Sequence, residues 1–252
     1  MIDKELRNKI NIISNINKLT NTLSMISMSK MNKYNKYLTL LKELIDESKD
    51  VFNLLKNKKN NSIYCCIIIT SNKGLCGNIN NEIIKKSLNF IKNNNCDIIL
   101  IGKKSIEFFE KKNIFIKEKI IFKDNENISN IFFSNNILNY LNNYKNIYFF
   151  SSKCINNNIK IANTKVFEEV KFKNYEIFNF NIKKYKENFL NNFLKKILIE
   201  NIFCELKSRM ITMKSAADNS KKLVKKMKII KNKIRQFKVT QNMLEIINGF
   251  QL

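Results

Sequence analysis

The sequence predicts an α+β assembly: long N- and C-terminal helices paired as an antiparallel coiled coil, with a central Rossmann-like α/β domain between them in the chain. There is no proline, and the only four glycines are Gly74, Gly77, Gly102 and Gly249, so 1–73 and 103–248 contain no strong helix breaker. Both ends repeat apolar residues at helical spacing, whereas the middle carries short apolar runs of strand length. The expected division is an N-terminal helix over 1–58, an α/β domain over 62–175 and a C-terminal helix over 185–252.

The first helix, about 3–57, places Leu6, Ile10, Ile13, Ile16, Leu19, Leu23 and Ile26 on one stripe. After a small shift of register the stripe resumes with Met31, Tyr34, Leu38, Leu41, Ile45, Phe52 and Leu55. At about 1.5 Å per residue such a helix is about 80 Å long, more than a globular domain needs.

The last helix, about 185–250, has a stricter rhythm. Leu206, Met210, Met213, Ala217, Ser220, Val224 and Met227 alternate steps of four and three, the seam of a coiled coil. Ala217 and Ser220 are small and let a partner helix approach closely. Lys231 is expected to break this seam, with Ile230 and Ile234 continuing an apolar stripe on a rotated face. Both helices attach to one domain, so antiparallel pairing is the simplest burial of their stripes. The C-terminal end then runs on as a lone rod.

Between the helices, IYCCIIIT, DIILIG and NIYFFSS read as strands, and segments near 81–93, 103–112 and 128–143 read as helices. This alternation predicts a largely parallel sheet. NTKVFEEV, 163–170, reads as a further strand.

Composition excludes several function classes. The chain has 252 residues, 44% hydrophobic and 27% charged, as expected of a folded protein. Histidine is absent, which removes the commonest general base and metal ligand. Six cysteines form no C-x-x-C, arguing against a zinc site and a disulfide framework and for a reducing compartment. Cys65 and Cys66 read as core residues of a strand. MIDKELRNKI resembles neither a signal nor a transit peptide, and no apolar run reaches bilayer length, so a soluble or peripheral protein is expected.

TSNKGLCG, 70–77, follows a strand and precedes a helix, the setting of a phosphate loop. A P-loop requires lysine and a hydroxyl after its last glycine, whereas Gly77 leads into Asn78-Ile79. A dinucleotide fingerprint needs a third glycine and a later acid, but Asp97 opens the next strand. The segment therefore reads as a turn shaped by Gly74 and Gly77, with Asn80 as N-cap. No cofactor, metal or catalytic constellation is expected.

The net charge is +25, with 46 Lys+Arg against 21 Asp+Glu, and part of it follows from AT-rich codon usage. Residues 219–244 hold Lys221, Lys222, Lys225, Lys226, Lys228, Lys231, Lys233, Arg235 and Lys238 with no acid before the end of the run. A solvated face, a nucleic-acid-binding helix and a basic rod inside an acidic protein collar all fit this run; no DNA-binding motif accompanies it.

Four stretches carry a family resemblance. LRNKINIISNINKLTNTLSMISMSKM (6–31) resembles the N-terminal helix of the gamma subunit of the F-type ATP synthase. TSNKGLCGNIN (70–80), with Gly74, Leu75, Cys76 and Gly77, is similar to that family's signature in the central domain. ENIFCELKSRMITMKSAADNSKKL (200–223) and NKIRQFKVTQNMLEIING (232–249) resemble its C-terminal helix. The match covers both helices and the first strand-loop-helix; over 110–185 only the general pattern agrees.

The resemblance implies a rotor that makes no bonds itself. Its coiled coil would pass through a ring of alpha and beta subunits, and its base would stand on the c-subunit ring beside epsilon. Proton flow would turn the shaft and drive each beta subunit through its catalytic states. By family position Lys30, Met31, Arg235, Gln236, Thr240, Gln241 and Glu245 would meet the alpha-beta ring. Met210, Met213, Lys214, Ala217, Asp218 and Asn219 match the mid-shaft pattern, and Glu200 the c-ring and epsilon side. No nucleic acid or small-molecule substrate is implied, and the location would be the cytoplasmic face of a bacterial inner membrane. Asn242 replaces a usual acid, the chain is shorter near 58–62 and in the outer central domain, and Phe250 stands in place of small residues.

Overall fold

A computed structural model describes residues 2–54, 64–122, 133, 137–138, 141, 144, 146–156, 158–165 and 182–249. In chain order the elements are α1 (Ile2–Leu54), β1 (Tyr64–Ile69), α2 (Ile79–Asn93), β2 (Cys96–Ile101), α3 (Lys103–Lys111), β3 (Glu118–Ile120), β4 (Asn146–Ile155), β5 (Asn158–Lys165) and α4 (Ile182–Gly249). The chain divides into a smaller unit, Met1–Ser27 with Met210–Leu252, and a larger one, Met28–Arg209.

The larger unit is built on a five-stranded sheet of order β3-β2-β1-β4-β5. β1 runs parallel to β2 and β4, β2 parallel to β3, and only β5 is antiparallel to its neighbour β4. Central β1 is an unbroken apolar run because both its faces are covered. Cys65, Ile67 and Ile69 join Ile99, Ile101, Ile147 and Phe149 on the face lined by Ile45 of α1 and Phe189, Leu190, Phe193, Leu194, Ile197 and Leu198 of α4. Cys66 and Ile68 join Ile98, Leu100 and Phe150 on the opposite face, under Ile79, Ile83 and Ile84 of α2 and Ile106 and Phe109 of α3. Period-two alternation thus sorts each strand between two cores, each buried side chain contributing about 1.5–3 kcal/mol.

Gly102, after β2, has φ 99°, and a Cβ there would lie 2.1 Å from the Thr70 carbonyl oxygen. Only glycine permits β1 and the β2–α3 turn to approach this closely. β3 is a short strand that no sequence signal marked. The strand expected over 163–170 is, where described, the end of β5, which begins at Asn158 as the return of a hairpin; 166–170 lie outside the described residues. Most of the expected helix 128–143, the loop near 58–62, Leu55, the side chain of Phe52, and Phe250 also lie outside them.

In the smaller unit α1 and α4 are antiparallel. Asn17 Nδ2 donates to the Ala217 carbonyl at 2.5 Å and to Ser220 Oγ at 2.9 Å. Seven residues on in α1 and seven back in α4, Ser24 Oγ donates to the Met210 carbonyl at 3.2 Å. The helices therefore keep register over a full heptad.

Two expected stripes are corrected here. The covered positions of α1 are Leu6, Ile10, Ile13, Asn17, Thr20, Ser24, Ser27, Met31, Tyr34, Leu38, Leu41 and Ile45, an alternation of four and three without slippage, with Ser14 beside it. Ile16, Leu19, Leu23 and Ile26 are 44%, 63%, 39% and 48% exposed. There is no shift of register; small polar residues occupy the middle of the seam because close approach to Ala217 and Ser220 leaves no room for branched side chains. In α4 the rhythm passes from Val224 and Met227 to Lys231 and Ile234, all half-buried, while Ile230 is exposed. Lys231 keeps the seam because its aliphatic stem can lie along it with the ammonium in water. From Arg235 to Gly249 every residue is exposed.

Candidate functional site

The 70–77 loop sits at the carboxyl end of β1, where sheets of this kind commonly bind phosphates. Here the loop consumes its own donors. Three N-terminal N–H groups of α3 are already bonded: Lys103 N to Asn72 Oδ1 at 3.2 Å, Lys104 N to the Ser71 carbonyl at 3.2 Å, and Ser105 N to Thr70 Oγ1 at 2.9 Å. Asn72 Nδ2 also donates to the Phe122 carbonyl at 2.7 Å. An anion at α3 would have to break this set.

Asn80 is no N-cap, since α2 begins one residue earlier, after Asn78. Its amide instead crosses the loop, accepting from Ser71 N at 3.1 Å and donating to Ser71 Oγ at 2.7 Å and Cys76 Sγ at 3.2 Å. The glycines also divide differently from the expectation. Gly77 has φ 67°, but the other left-handed residue is Leu75 at φ 65°, and a Cβ on Gly74 would meet nothing within 4 Å. Gly74 presents its carbonyl; it is not needed for the turn.

α4 fills the remaining space. The strand order reverses between β1 and β4, the crevice in which doubly wound sheets take ligands. Asn201 Oδ1 accepts from Ser152 N at 3.0 Å and Ser152 Oγ at 2.8 Å, at the carboxyl half of β4. Ser208 Oγ donates to the Cys76 carbonyl at 2.7 Å, and Arg209 reaches the carbonyls of Lys73 and Gly74. The sheet's ligand position is taken by a helix of its own chain. Two of the sequence signatures, TSNKGLCG and the 200–223 segment through its Ser208 and Arg209, are parts of one contact.

Glu200 lies on α4 in the larger unit. Burial pushes its carboxyl pKa up, opposed by Lys153, Lys196 and Lys42. Burial likewise lowers the Lys196 ammonium, which stands 3.8 Å from Asp46. Of the expected ring contacts, Lys30 is exposed and Met31 half-buried in the larger unit. Arg235, Gln236, Thr240, Gln241 and Glu245 are exposed on the smaller unit's bare stretch of α4. There Gln241 Nε2 donates to Glu245 Oε1 at 3.2 Å, one turn on. Met213 and Ala217 are buried and Met210 half-buried, whereas Lys214, Asp218 and Asn219 are exposed.

Sequence reasoning did not single out Asn17, Ser208 or Arg209. Asn17 could have been found as the amide on the heptad phase of Ile10 and Ile13, and Arg209 as the arginine directly before Met210 in the 200–223 stretch. Among the described residues no three His, Cys, Asp or Glu side chains are grouped to hold a metal, and no helix is long and apolar enough to cross a membrane.

The chain thus combines an α/β domain, whose 70–77 loop is hydrogen-bonded to its own α4, with an antiparallel pairing of its two end helices. The ATP synthase family model matches residues 3–251. The ATP synthase gamma chain of Buchnera aphidicola subsp. Schlechtendalia chinensis is 32% identical over 98% of this chain and 96% of that relative. Among solved structures, a chain of the Euglena gracilis mitochondrial ATP synthase, OSCP/F1/c-ring in rotational state 3, superposes with a TM-score of 0.75 at 15% identity, over 99% of this chain and 94% of that one. A chain of the Euglena gracilis ATP synthase rotor gives a TM-score of 0.69 at 14% identity, over 94% and 99%. At that identity the structures attest the fold, and the sequence matches attest the family. The chain belongs to the ATP synthase gamma-chain family and is a non-catalytic rotor subunit of that complex. The nucleic-acid reading of its basic run has no support from these relatives.

Proposed function

We propose that this chain is the central shaft of its ATP synthase, coupling proton-driven rotation of a c-subunit ring to ATP synthesis at the beta subunits of an alpha-beta ring. The observation that carries the reading is the bare end of α4: antiparallel pairing pinned at Asn17 and Ala217, followed by exposed helix from Arg235 to Gly249. A helix end on which Phe237, Val239, Met243, Leu244, Ile246 and Ile247 are exposed suits an enclosing protein sleeve. Arg235, Gln236, Thr240, Gln241 and Glu245, with Lys30 and Met31 on α1, are the proposed contacts with that ring.

The parts 1–58, 62–175 and 185–252 serve as shaft helix, base domain and shaft helix. The region of Glu200 faces the c ring and epsilon, on the cytoplasmic face of a bacterial inner membrane. The exposed apolar row Ile16, Leu19, Leu23 and Ile26 supports the same reading, because a shaft in a sleeve presents apolar residues outward. Co-expression with alpha and beta subunits tests it: the chain co-purifies with both. Isolation as a free protein that binds DNA with steep salt dependence would contradict it.

A further inference from the structure

The segment of α4 that ends the larger unit is fastened to the GLCG loop by directional bonds. Ser208 Oγ donates to the Cys76 carbonyl at 2.7 Å. Arg209 donates from Nη2 to the carbonyls of Gly74 at 3.2 Å and Lys73 at 3.4 Å, and from Nε to Gly74 at 3.4 Å. Glu205, one turn back, forms an ion pair with the same guanidinium, and the two side chains are only 15% and 16% exposed. Arg209 is also the last residue of its unit.

We propose that Arg209, oriented by Glu205 and assisted by Ser208, is the latch through which the α/β domain and α4 turn as one body, and hence a positioning residue for coupling; this rests on the rotor reading above. Torque on the domain shears whatever joins it to the helix. Apolar contacts are non-directional, whereas hydrogen bonds weaken steeply as they are misaligned. Bonds to a guanidinium are about twice as strong as neutral ones. The loop is shaped to receive it: Leu75 is 66% exposed, so its left-handed φ is not compensated by burial of the side chain and serves instead to turn the neighbouring carbonyls toward α4. A planar guanidinium reaches both carbonyls and the carboxylate together; an ammonium cannot hold the same fork.

The test has two arms, both on the full chain. In the isolated chain Arg209→Ala speeds amide hydrogen exchange across 73–77 by about tenfold to a hundredfold while helix content is unchanged. Arg209→Lys gives a smaller change in the same direction. In membranes reconstituted with the complete complex, Arg209→Ala hydrolyses ATP but pumps fewer protons per ATP. Linking Gly74→Cys to Arg209→Cys with a short bis-methanethiosulfonate restores pumping, and reduction abolishes the rescue. Gly74 is suited to this because a Cβ there meets nothing within 4 Å. Unchanged exchange in both variants, wild-type pumping per ATP in Arg209→Ala, or a linked protein that stays uncoupled would each overturn the latch. Should the wild-type chain itself fail to enter the complex, the rotor reading fails and the exchange arm alone decides the latch.

Discussion

Asn17 and Ala217, two hundred positions apart in the chain, are joined by a 2.5 Å hydrogen bond from the Asn17 amide to the Ala217 carbonyl. The same amide reaches Ser220 Oγ, which itself donates to the Ala217 carbonyl at 2.8 Å. An amide at a seam position fixes helix register more than it adds stability. Here it also leaves the apolar row of α1 facing outward.

Removing that amide therefore has a modest, defined effect. Asn17→Ala lowers stability by about 1 kcal/mol, read as the thermal midpoint of the helical signal. Asn17→Leu costs at least as much despite its apolar side chain, because the branched chain must fit opposite Ala217 and Ser220. A clear gain in stability from leucine would show that the seam has the phase of Ile16 and Leu19 instead.

Glycine positions differ in what they require. Gly102→Ala forces a Cβ within 2.1 Å of a carbonyl oxygen at φ 99°. The expected loss is about 3 kcal/mol in denaturant unfolding. Gly74→Ala stays within about 0.5 kcal/mol of wild type, because a Cβ there meets nothing within 4 Å.

The Glu200 carboxyl has a pKa raised by burial, so the folded state holds its proton more tightly than the unfolded chain. Its contribution to stability is fully present below the ordinary carboxyl range and is lost as pH rises through the raised value. Glu200→Gln consequently makes the protein more stable than wild type at neutral pH, and the advantage disappears on acidification. Parallel stability curves for the two proteins would contradict this.

Thiol reactivity reports burial in the sheet's two cores, at Cys65 and Cys66, and on α4, at Cys204. Burial pushes the thiols of Cys65 and Cys204 up to about 12, and Cys66 is raised further. Alkylation at neutral pH, followed by peptide mass spectrometry, labels half-buried Cys154 and spares these three until the protein unfolds.

The proposed ring contacts on α4 are exposed and bear no packing load. Arg235→Ala with Gln236→Ala leaves the thermal midpoint unchanged within about 0.5 kcal/mol of stability and impairs ATP synthesis in the assembled complex. Wild-type synthesis would remove both residues from the bearing.

How far the sequence could be read follows from the range of each interaction. Strands β1, β2 and β4 were legible because apolar runs such as IYCCIII have one buried solution between helices. The two long helices were legible from the absence of breakers. The middle of α1 was not, because apolar character does not mark the covered face there: Thr20, Ser24 and Ser27 are covered and Leu19 and Leu23 are not. The same holds in α4, where Lys231 is half-buried and Ile230 exposed. The helix cap lies at Asn78, two residues before Asn80, and the bonds of Asn80 to Ser71 and Cys76 depend on the loop's fold. The Arg209 contact spans 135 positions to Gly74, beyond any local pattern.

ATP-driven rotation tests the central claim most directly. A bead or gold particle fixed to the chain at an engineered surface cysteine, in a complex immobilised through its beta subunits, should turn in one direction on addition of ATP. A complex that hydrolyses ATP while the particle on this chain stays still would contradict the account.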